Sequence, residues 1–228
     1  KTARVAFNTL IGERASSYEK QSHFITTLPV FRAYMQSPEV AVDRVTMATM
    51  ASDYCGNLEA AFCVVTSADG TWLAAPGAPR SEASVAIVDA LIKSALANRP
   101  EHHTVVLDGL LYHVVAQPAQ FGAEVLGSFV AAYRLDDGLA RNLAGITRSQ
   151  ISLIVGNTIT GSSLTGAPRA ALEGALRTAG PGLASDVTRL RLADEQYVGG
   201  TFDLGKDAVA DARVLLLEDM APTEQFIG

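Results

Sequence analysis

The chain has 228 residues, of which 48% are hydrophobic and only 18% charged, and its formal net charge is −6. This length suffices for one large or two small domains with a packed core, while the acidic balance without a Lys/Arg cluster argues against nucleic acid as a partner. The longest apolar run, near residues 60–65, is far shorter than the ~20 residues that a membrane-spanning helix needs, so we expect a soluble segment.

The first stretch of the chain predicts one long helix followed by a second helix. Apolar residues recur among charged ones at heptad-like spacing, namely at Phe7, Ile11, Tyr18, Ile25, Leu28 and Met35. At ~1.5 Å per residue the first helix would extend roughly 45 Å. Pro29 should kink it near Ile25, because the proline ring opposes the carbonyl four residues back. A second helix, capped by Ser37 or Asp43, completes a predicted region of residues 1–58.

Residues 59–135 predict a small α+β unit. A hairpin turn is expected at Asp69-Gly70, since this dipeptide tolerates the positive φ of a tight turn. Ser81 is placed to start a helix whose apolar positions repeat at helical spacing. The strands are predicted at residues 62–67, 71–76, 104–107, 110–118 and 125–135.

Residues 136–228 predict a linking helix at residues 136–146 and then a second copy of the same unit. Glu195-Gln-Tyr197 stands where the first copy has Leu110-Leu-Tyr112. Each copy should form a five-stranded antiparallel sheet with flanking helices, which is an α+β fold. In the second copy, the strands are predicted at 150–155, 158–164, 186–192, 196–204 and 212–218, with a helix at 167–178.

This order of elements resembles the double Cache sensor domains of bacterial histidine kinases, diguanylate cyclases and chemoreceptors. The resemblance covers nearly the whole chain and implies a long N-terminal helix followed by two tandem PAS-like modules. The residues that carry it are Leu28-Pro29, Phe31, the hairpin 64–70, Leu111-Tyr112, residues 116–118 with Leu126-Gly127, residues 161–163 and residues 214–218.

The resemblance also implies a location and a role. Sensor domains of that family lie between two transmembrane helices, so residue Val5 would leave one span and residues 221–228 would lead to the next, with the sensor on the periplasmic side. The chain opens with Lys1 rather than Met, and we expect it to be a segment of a longer protein that is anchored in the membrane. The family binds amino acids, organic acids or other metabolites in the distal module, here the first. Its amino-acid-binding run of Tyr, Arg and Trp is not visible, because the single tryptophan, Trp72, lies in the hairpin.

Patterns for catalysis are absent or incomplete in the sequence. Residues 200–207 match a phosphate loop for seven positions but carry Asp207 where Ser or Thr must reach magnesium, so we interpret them as a turn. Ser162-Ser163 lie in a predicted strand without a nucleophile elbow. The four histidines lack metal-protease spacing, and His102-His103 are interpreted as a solvated loop. We expect no catalytic residues, no metal and no cofactor.

The two cysteines, Cys55 and Cys63, lack CxxC spacing. They are interpreted as buried thiols, and a disulfide between them stays open because spacing alone does not establish one.

The candidate ligand-binding residues are Arg80, Tyr112, His113, Gln117 and Tyr133. Side chains alternate along a strand, so Tyr112 faces one side of the sheet while His113 and Gln117 face the other. Tyr112 and Tyr133 each offer an aromatic surface with a polar tip. The planar guanidinium of Arg80 could bind both oxygens of a carboxylate.

The expected role is a small-molecule sensor that relays binding through the long helix to a cytoplasmic kinase, cyclase or chemoreceptor output domain. The heptad-like stripe on that helix favours a parallel homodimer, with intramolecular packing as the alternative. The alternative function is a periplasmic protein-interaction module without a small-molecule ligand.

Overall fold

A computed structural model describes residues 2–37, 39, 43–179, 183, 187–204 and 212–220. The chain divides into two compact units. The first module comprises residues 12–108 and 112–134, and the second module comprises residues 1–11, 109–111 and 135–228. The predicted strand start at Asp186, the turn at 205–207 and the end at 221–228 lie outside the described residues.

The described part of the N-terminal region includes the helices α1 (Thr2–Thr27), α2 (Pro29–Gln36) and α3 (Arg44–Asn57). The prediction of one helix that continues through Pro29 to Met35 is wrong. Leu28 has extended backbone angles (φ −61°, ψ 130°) and Pro29 begins α2, because a residue before proline avoids the helical region and proline is favoured at the first helical position.

Hydrogen bonds from side chains complete the ends of these helices. Arg32 Nε donates to the Thr26 carbonyl oxygen at 3.2 Å, which satisfies one terminal carbonyl of α1. Of the two caps proposed for the following helix, Asp43 is the one observed, since its carboxylate accepts from the backbone N–H groups of Val45 and Thr46. Ser37 instead ends α2.

The first module contains a five-stranded antiparallel sheet in the order β2-β1-β5-β4-β3. Helix α4 (Glu82–Leu96) connects β2 to β3, and the Ser81 hydroxyl caps it by accepting from the Ser84 N–H. The strands are β1 (Phe62–Ser67), β2 (Trp72–Ala74), β3 (Glu101–Leu107), β4 (Leu110–Phe121) and β5 (Glu124–Arg134). His102 and His103 therefore lie in strand β3 and not in the loop that the sequence suggested.

Each face of this sheet packs on its own helices and forms a separate core. The face covered by α4, named the α4 face, contains Phe62, Val64, Val114, Ala116, Val130 and Ala132. The opposite face, named the α1 face, is covered by α1, α2 and α3 and contains Cys63, Val65, Val115, Ala119, Phe129, Ala131 and Tyr133. The strict alternation along β4 and β5 produces this division.

The second module repeats the first: its sheet has the corresponding order β7-β6-β10-β9-β8. Tyr197 is the third residue of β9, as Tyr112 is the third residue of β4, so the sequence alignment of the two copies agrees with the structure. The predicted α+β fold with two PAS-like modules is confirmed. The elements are α5 (Asp137–Thr147), β6 (Gln150–Val155), β7 (Thr158–Ser162), α6 (Gly166–Ala179), β8 (Thr188–Leu192), β9 (Glu195–Asp203) and β10 (Ala212–Asp219).

Glycine is required where strands or turns approach each other closely. A Cβ at Gly127 would lie 2.0 Å from the Thr66 carbonyl oxygen, and one at Gly161 would lie 2.6 Å from the Asp136 carbonyl carbon. These contacts explain two of the glycines that carry the family resemblance.

No helix in the described part of the chain is both long enough and apolar enough to cross a bilayer.

Candidate ligand site in the first module

The α4 face, where a PAS-like module would enclose its ligand, is closed by apolar side chains. Val88 and Ala95 of α4 are fully buried and Ile92 nearly so, in one cluster with Val114 and Val130 of the sheet. Direct packing of this kind fills the space between helix and sheet at the density of a protein interior. A ligand on this face would compete with these apolar contacts.

Arg80 lies at the edge of this face and is exposed. Its backbone N–H donates to Asp108 Oδ2 at 3.3 Å, and the Ser81 and Ser84 hydroxyls donate to Asp108 Oδ1. The hydrogen bonds from Ser81 and Ser84 hold the pKa of Asp108 below its usual range. Hydrogen bonds therefore connect the N-terminal end of α4 to the turn between β3 and β4.

Tyr112 also lies on the α4 face and is half-buried. Its ring meets Phe62 edge to face, with 5.6 Å between centroids. Trp72 packs against the same cluster, and its indole N–H donates to Asp89 Oδ1 at 2.8 Å. Both aromatic side chains thus help to close this face.

The α1 face brings together two of the predicted ligand-binding residues. His113 of β4 and Tyr133 of β5 are direct cross-strand partners. Tyr18 of α1 stacks on Tyr133 with ring centroids 3.5 Å apart, and its ring lies 6.0 Å from that of His113. A residue of the long helix therefore rests directly on the predicted pair.

Three buried polar atoms at this place have no hydrogen-bond partner: Ser22 Oγ, His113 Nε2 and Tyr133 Oη. Ser22 is 0% exposed, Tyr133 3% and His113 6%. Among the described residues they are the only buried side-chain nitrogen or oxygen atoms without one. Since such groups in proteins are almost always paired, this cluster is the strongest candidate for a bound water or ligand.

The electrostatics of the cluster favour uncharged groups. Burial, and then the charges that His102 and His103 would carry, lower the pKa of His113 to about 4, so its imidazole is neutral at pH 7. Burial also raises the pKa of Tyr133; the nearby Ser22 hydroxyl opposes this rise, although neither hydroxyl completes a hydrogen bond. The cluster offers neutral donors and acceptors.

Two further side-chain contacts lie next to or within this cluster. His102 of β3 forms an ion pair with Glu19 of α1, and the His102 ring lies 5.9 Å from that of His113. Thr104 Oγ1 lies 3.5 Å from His113 Nδ1. Among the described residues, no group of three or more His, Cys, Asp and Glu side chains is arranged to hold a metal ion.

The remaining predicted residues are placed elsewhere. Gln117 is buried on the α1 face opposite Phe129, four residues along β4 from His113 and thus ~13 Å away. Arg80 and Tyr112 belong to the other side of the sheet. Ligand binding by these five residues stays a prediction.

Cys55 and Cys63 are both buried thiols in the core of the α1 face. A hydrogen bond with the Cys55 thiol, together with burial, raises the pKa of Cys63 well above its usual range. The two thiols are therefore neighbours, and Cys63 is protonated at neutral pH.

Sequence reasoning missed Tyr18, Ser22 and His102 as members of the site. Tyr18 was recognised only as part of the apolar stripe of the first helix, and Ser22 carries no signal of its own. Both face the sheet because they lie four residues apart on one side of α1. This four-residue spacing could have placed Ser22 beside Tyr18. Assigning both residues to the site also required knowing that α1 covers the sheet.

A scan against protein-family models and a search of curated proteins found no match. Solved structures do match along almost their entire length. The periplasmic domain of LuxQ from Vibrio cholerae aligns with a TM-score of 0.63 and 14% identity over 96% of this chain and 100% of its own. The sensor domain of the histidine kinase DctB from Vibrio cholerae aligns with a TM-score of 0.56 and 13% identity over 95% of this chain and 94% of its own.

The ligand-binding domain of the Campylobacter jejuni chemoreceptor Tlp3, in complex with L-valine, aligns with a TM-score of 0.50 and 14% identity over 96% of this chain and 90% of its own. The chain therefore has the fold of periplasmic sensor domains. The double Cache type of fold, which the sequence resemblance implied, is confirmed.

Proposed function

We propose that the chain is the extracytoplasmic sensor region of a membrane-anchored signalling receptor of the histidine kinase, diguanylate cyclase or chemoreceptor type. The observation that carries this proposal is the end-to-end likeness to periplasmic sensor domains, which includes the N-terminal helix and both modules. The sensor region itself needs no catalytic residue. Its location on the periplasmic side of the membrane is part of the proposal.

The ligand would bind in the first module, on the α1 face of the sheet. The three unpaired atoms of Ser22, His113 and Tyr133 support this position, because a ligand or ordered water would supply the missing hydrogen bonds. The cluster has no buried charge to pair with the ammonium and carboxylate groups of an amino acid such as the L-valine bound by Tlp3. A small molecule with hydroxyl or amide groups fits these neutral partners better.

The same position explains how binding would be relayed. Tyr18 and Ser22 belong to α1, whereas His113 and Tyr133 belong to the sheet. A ligand that binds all of them would favour one position of the helix relative to the sheet of its own module. A shift of that helix would then reach the membrane and the cytoplasmic output domain, and a homodimer through α1 would couple two such helices.

A thermal-shift screen with matched variants tests the site. A ligand at 100 times its Kd stabilises the folded state by about 2.7 kcal/mol, which is readily seen as a higher melting temperature. The library should contain sugars, amides, purines, organic acids, amino acids and polyamines. We expect the shift to be lost in Tyr133→Phe and retained in Tyr112→Phe, which removes the same atom on the opposite face.

Other outcomes would change the proposal in distinct ways. A shift lost in Arg80→Ala or Tyr112→Phe but retained in Tyr133→Phe would move the ligand to the α4 face and leave the sensor role standing. A screen without any shift would contradict a small-molecule sensor.

A second candidate function, a periplasmic protein-interaction module, is favoured by one observation. On the α4 face, buried apolar side chains of the helix and the sheet form one cluster in the position where a PAS-like module typically holds its ligand. A flat screen combined with saturable, stoichiometric binding to one purified periplasmic protein would establish this function. A saturable small-molecule shift that depends on Tyr133 would contradict it.

A further inference from the structure

A cleft of about 400 Å³ lies between α2 and α3 of the first module, and Tyr18, Ser22, His113 and Tyr133 are not among the residues that line it. Its volume falls within the range of small-molecule sites. The side chains that line it come from one face of each helix: Val30, Tyr34, Val45, Thr46, Thr49, Met50, Asp53 and Tyr54. We propose that this cleft binds a small organic cation, a protonated amine that carries an apolar or aromatic body.

The charge of the lining supports a cation. Among the described residues that line the cleft, Asp53 is the only charged one, and none is Lys, Arg or His. Asp53 is exposed and forms no ion pair with any residue that the structure describes. The hydroxyls of Thr46 and Thr49 already donate within α3 or to its cap, to Asp43 Oδ2 and to the Val45 carbonyl oxygen. The carboxylate is therefore the strongest free acceptor of the cleft.

Two tyrosine rings suit the same ligand. Tyr34 and Tyr54 are both half-buried and line the cleft from different helices. Burial, then the nearby Tyr34 and Asp53, raises the pKa of Tyr54, so the Tyr54 ring stays neutral at physiological pH. Neutral aromatic faces attract organic cations, and the attraction increases as the ligand loses water.

The apolar rim supplies the remaining contact. Val30 is 52% exposed and Val45 75% exposed, although both are aliphatic. A ligand body between them would remove this surface from water, which contributes about 25 cal/mol per Å². A purely polar amine would lack this contribution, and an anionic ligand would meet the repulsion of Asp53.

The test compares three probes with one phenyl body and different head groups: 2-phenylethylamine, 2-phenylethanol and 3-phenylpropanoate. Binding is followed by NMR chemical-shift changes and titration calorimetry on the folded chain. We expect the amine to bind about tenfold more tightly than the alcohol, because an ionic hydrogen bond is worth more than a neutral one, and the carboxylate to bind more weakly still.

Matched variants assign the effect to the cleft. Asp53→Asn should reduce amine affinity about tenfold and abolish the preference for amine over alcohol. Glu124→Gln, which removes the same charge at the exposed hairpin between β4 and β5, should change neither. Tyr34→Leu should weaken amine binding about fivefold and leave the melting temperature of the unliganded chain nearly unchanged.

Three results would overturn the proposal: no binding of the amine, equal affinity for amine and alcohol, or equal losses in Asp53→Asn and Glu124→Gln. The last result would indicate attraction by the overall negative charge instead of a site. Because Tyr133→Phe leaves this cleft intact, the same titration on that variant separates the cleft from the proposed sensor site.

Discussion

The two faces of the first-module sheet are made from alternating residues of the same strands, yet they differ in chemistry. On the α4 face, β4 and β5 contribute the buried aliphatic residues Val114, Ala116, Val130 and Ala132 to one cluster with the helix. On the α1 face the same strands bury His113 and Tyr133, which meet Tyr18 and leave polar atoms unpaired. Apolar closure stabilises the module, whereas unpaired polar groups cost stability. Groups that reduce stability are the ones expected to serve binding.

The largest expected effect is on the α4 face. Ile92→Ala removes a nearly fully buried side chain between α4 and the sheet and should lower the free energy of unfolding by about 2–5 kcal/mol. Urea unfolding followed by circular dichroism measures this loss. Lys93→Ala on the same helix is the control and should change stability by less than about 0.5 kcal/mol. A loss below 1 kcal/mol for Ile92→Ala would mean that this face is loosely packed and open to a ligand.

The second effect is the pH dependence that His113 gives the α1 face. Because the folded-state pKa of about 4 lies below the ordinary histidine pKa of about 6.5, the unfolded chain binds the proton more readily. The stability due to the neutral imidazole is thus fully present above pH 6.5 and is lost as the pH falls toward 4, by up to about 3 kcal/mol.

Unfolding free energies measured from pH 7 to pH 4 in wild type and His113→Gln test this dependence. The variant should lose less stability over that interval than wild type does. Identical pH profiles would show that His113 is more solvated than the structure indicates.

The smallest expected effect on stability comes from the hydroxyl oxygen of Tyr133 on the α1 face. Tyr133→Phe removes a buried hydroxyl without a partner and should leave stability unchanged or raise it by about 1 kcal/mol in the absence of ligand. Thermal and urea unfolding measure the change. A loss of more than 1 kcal/mol would show that an ordered water already completes the hydrogen bonds of this hydroxyl.

Most of the fold could be predicted from the sequence because local signals agreed with one another. The Asp69-Gly70 turn, the caps at Ser81 and Asp43 and the alternation along β4 each specify local geometry, and the strand order repeats in the second module. The break at Leu28 was missed because Pro29 suits both a kinked helix and the first position of a new one.

The site could be predicted only in part. Alternation correctly separated Tyr112 from His113 but did not show which face would be closed, since that depends on the fit of α4 against side chains distant in sequence. The pairing of His113 with Tyr133 follows from the register of β4 and β5, which no local pattern specifies. The contribution of Ser22 and Tyr18 depends on tertiary packing alone.

The hydrogen bonds that Asp108 accepts from Arg80, Ser81 and Ser84 also affect the conformational entropy of the chain. The hydrogen bond from the Arg80 N–H to Asp108 joins residues 28 positions apart and so closes a loop that contains all of α4 and β3. Loop closure restricts the chain in the way that a reversible crosslink does, and each doubling of loop length costs only about 0.6 kcal/mol more. Insertions between α4 and β3 should therefore be tolerated as long as Ser81, Ser84 and Asp108 remain. This part of the module can vary in length while both ends of the loop stay fixed.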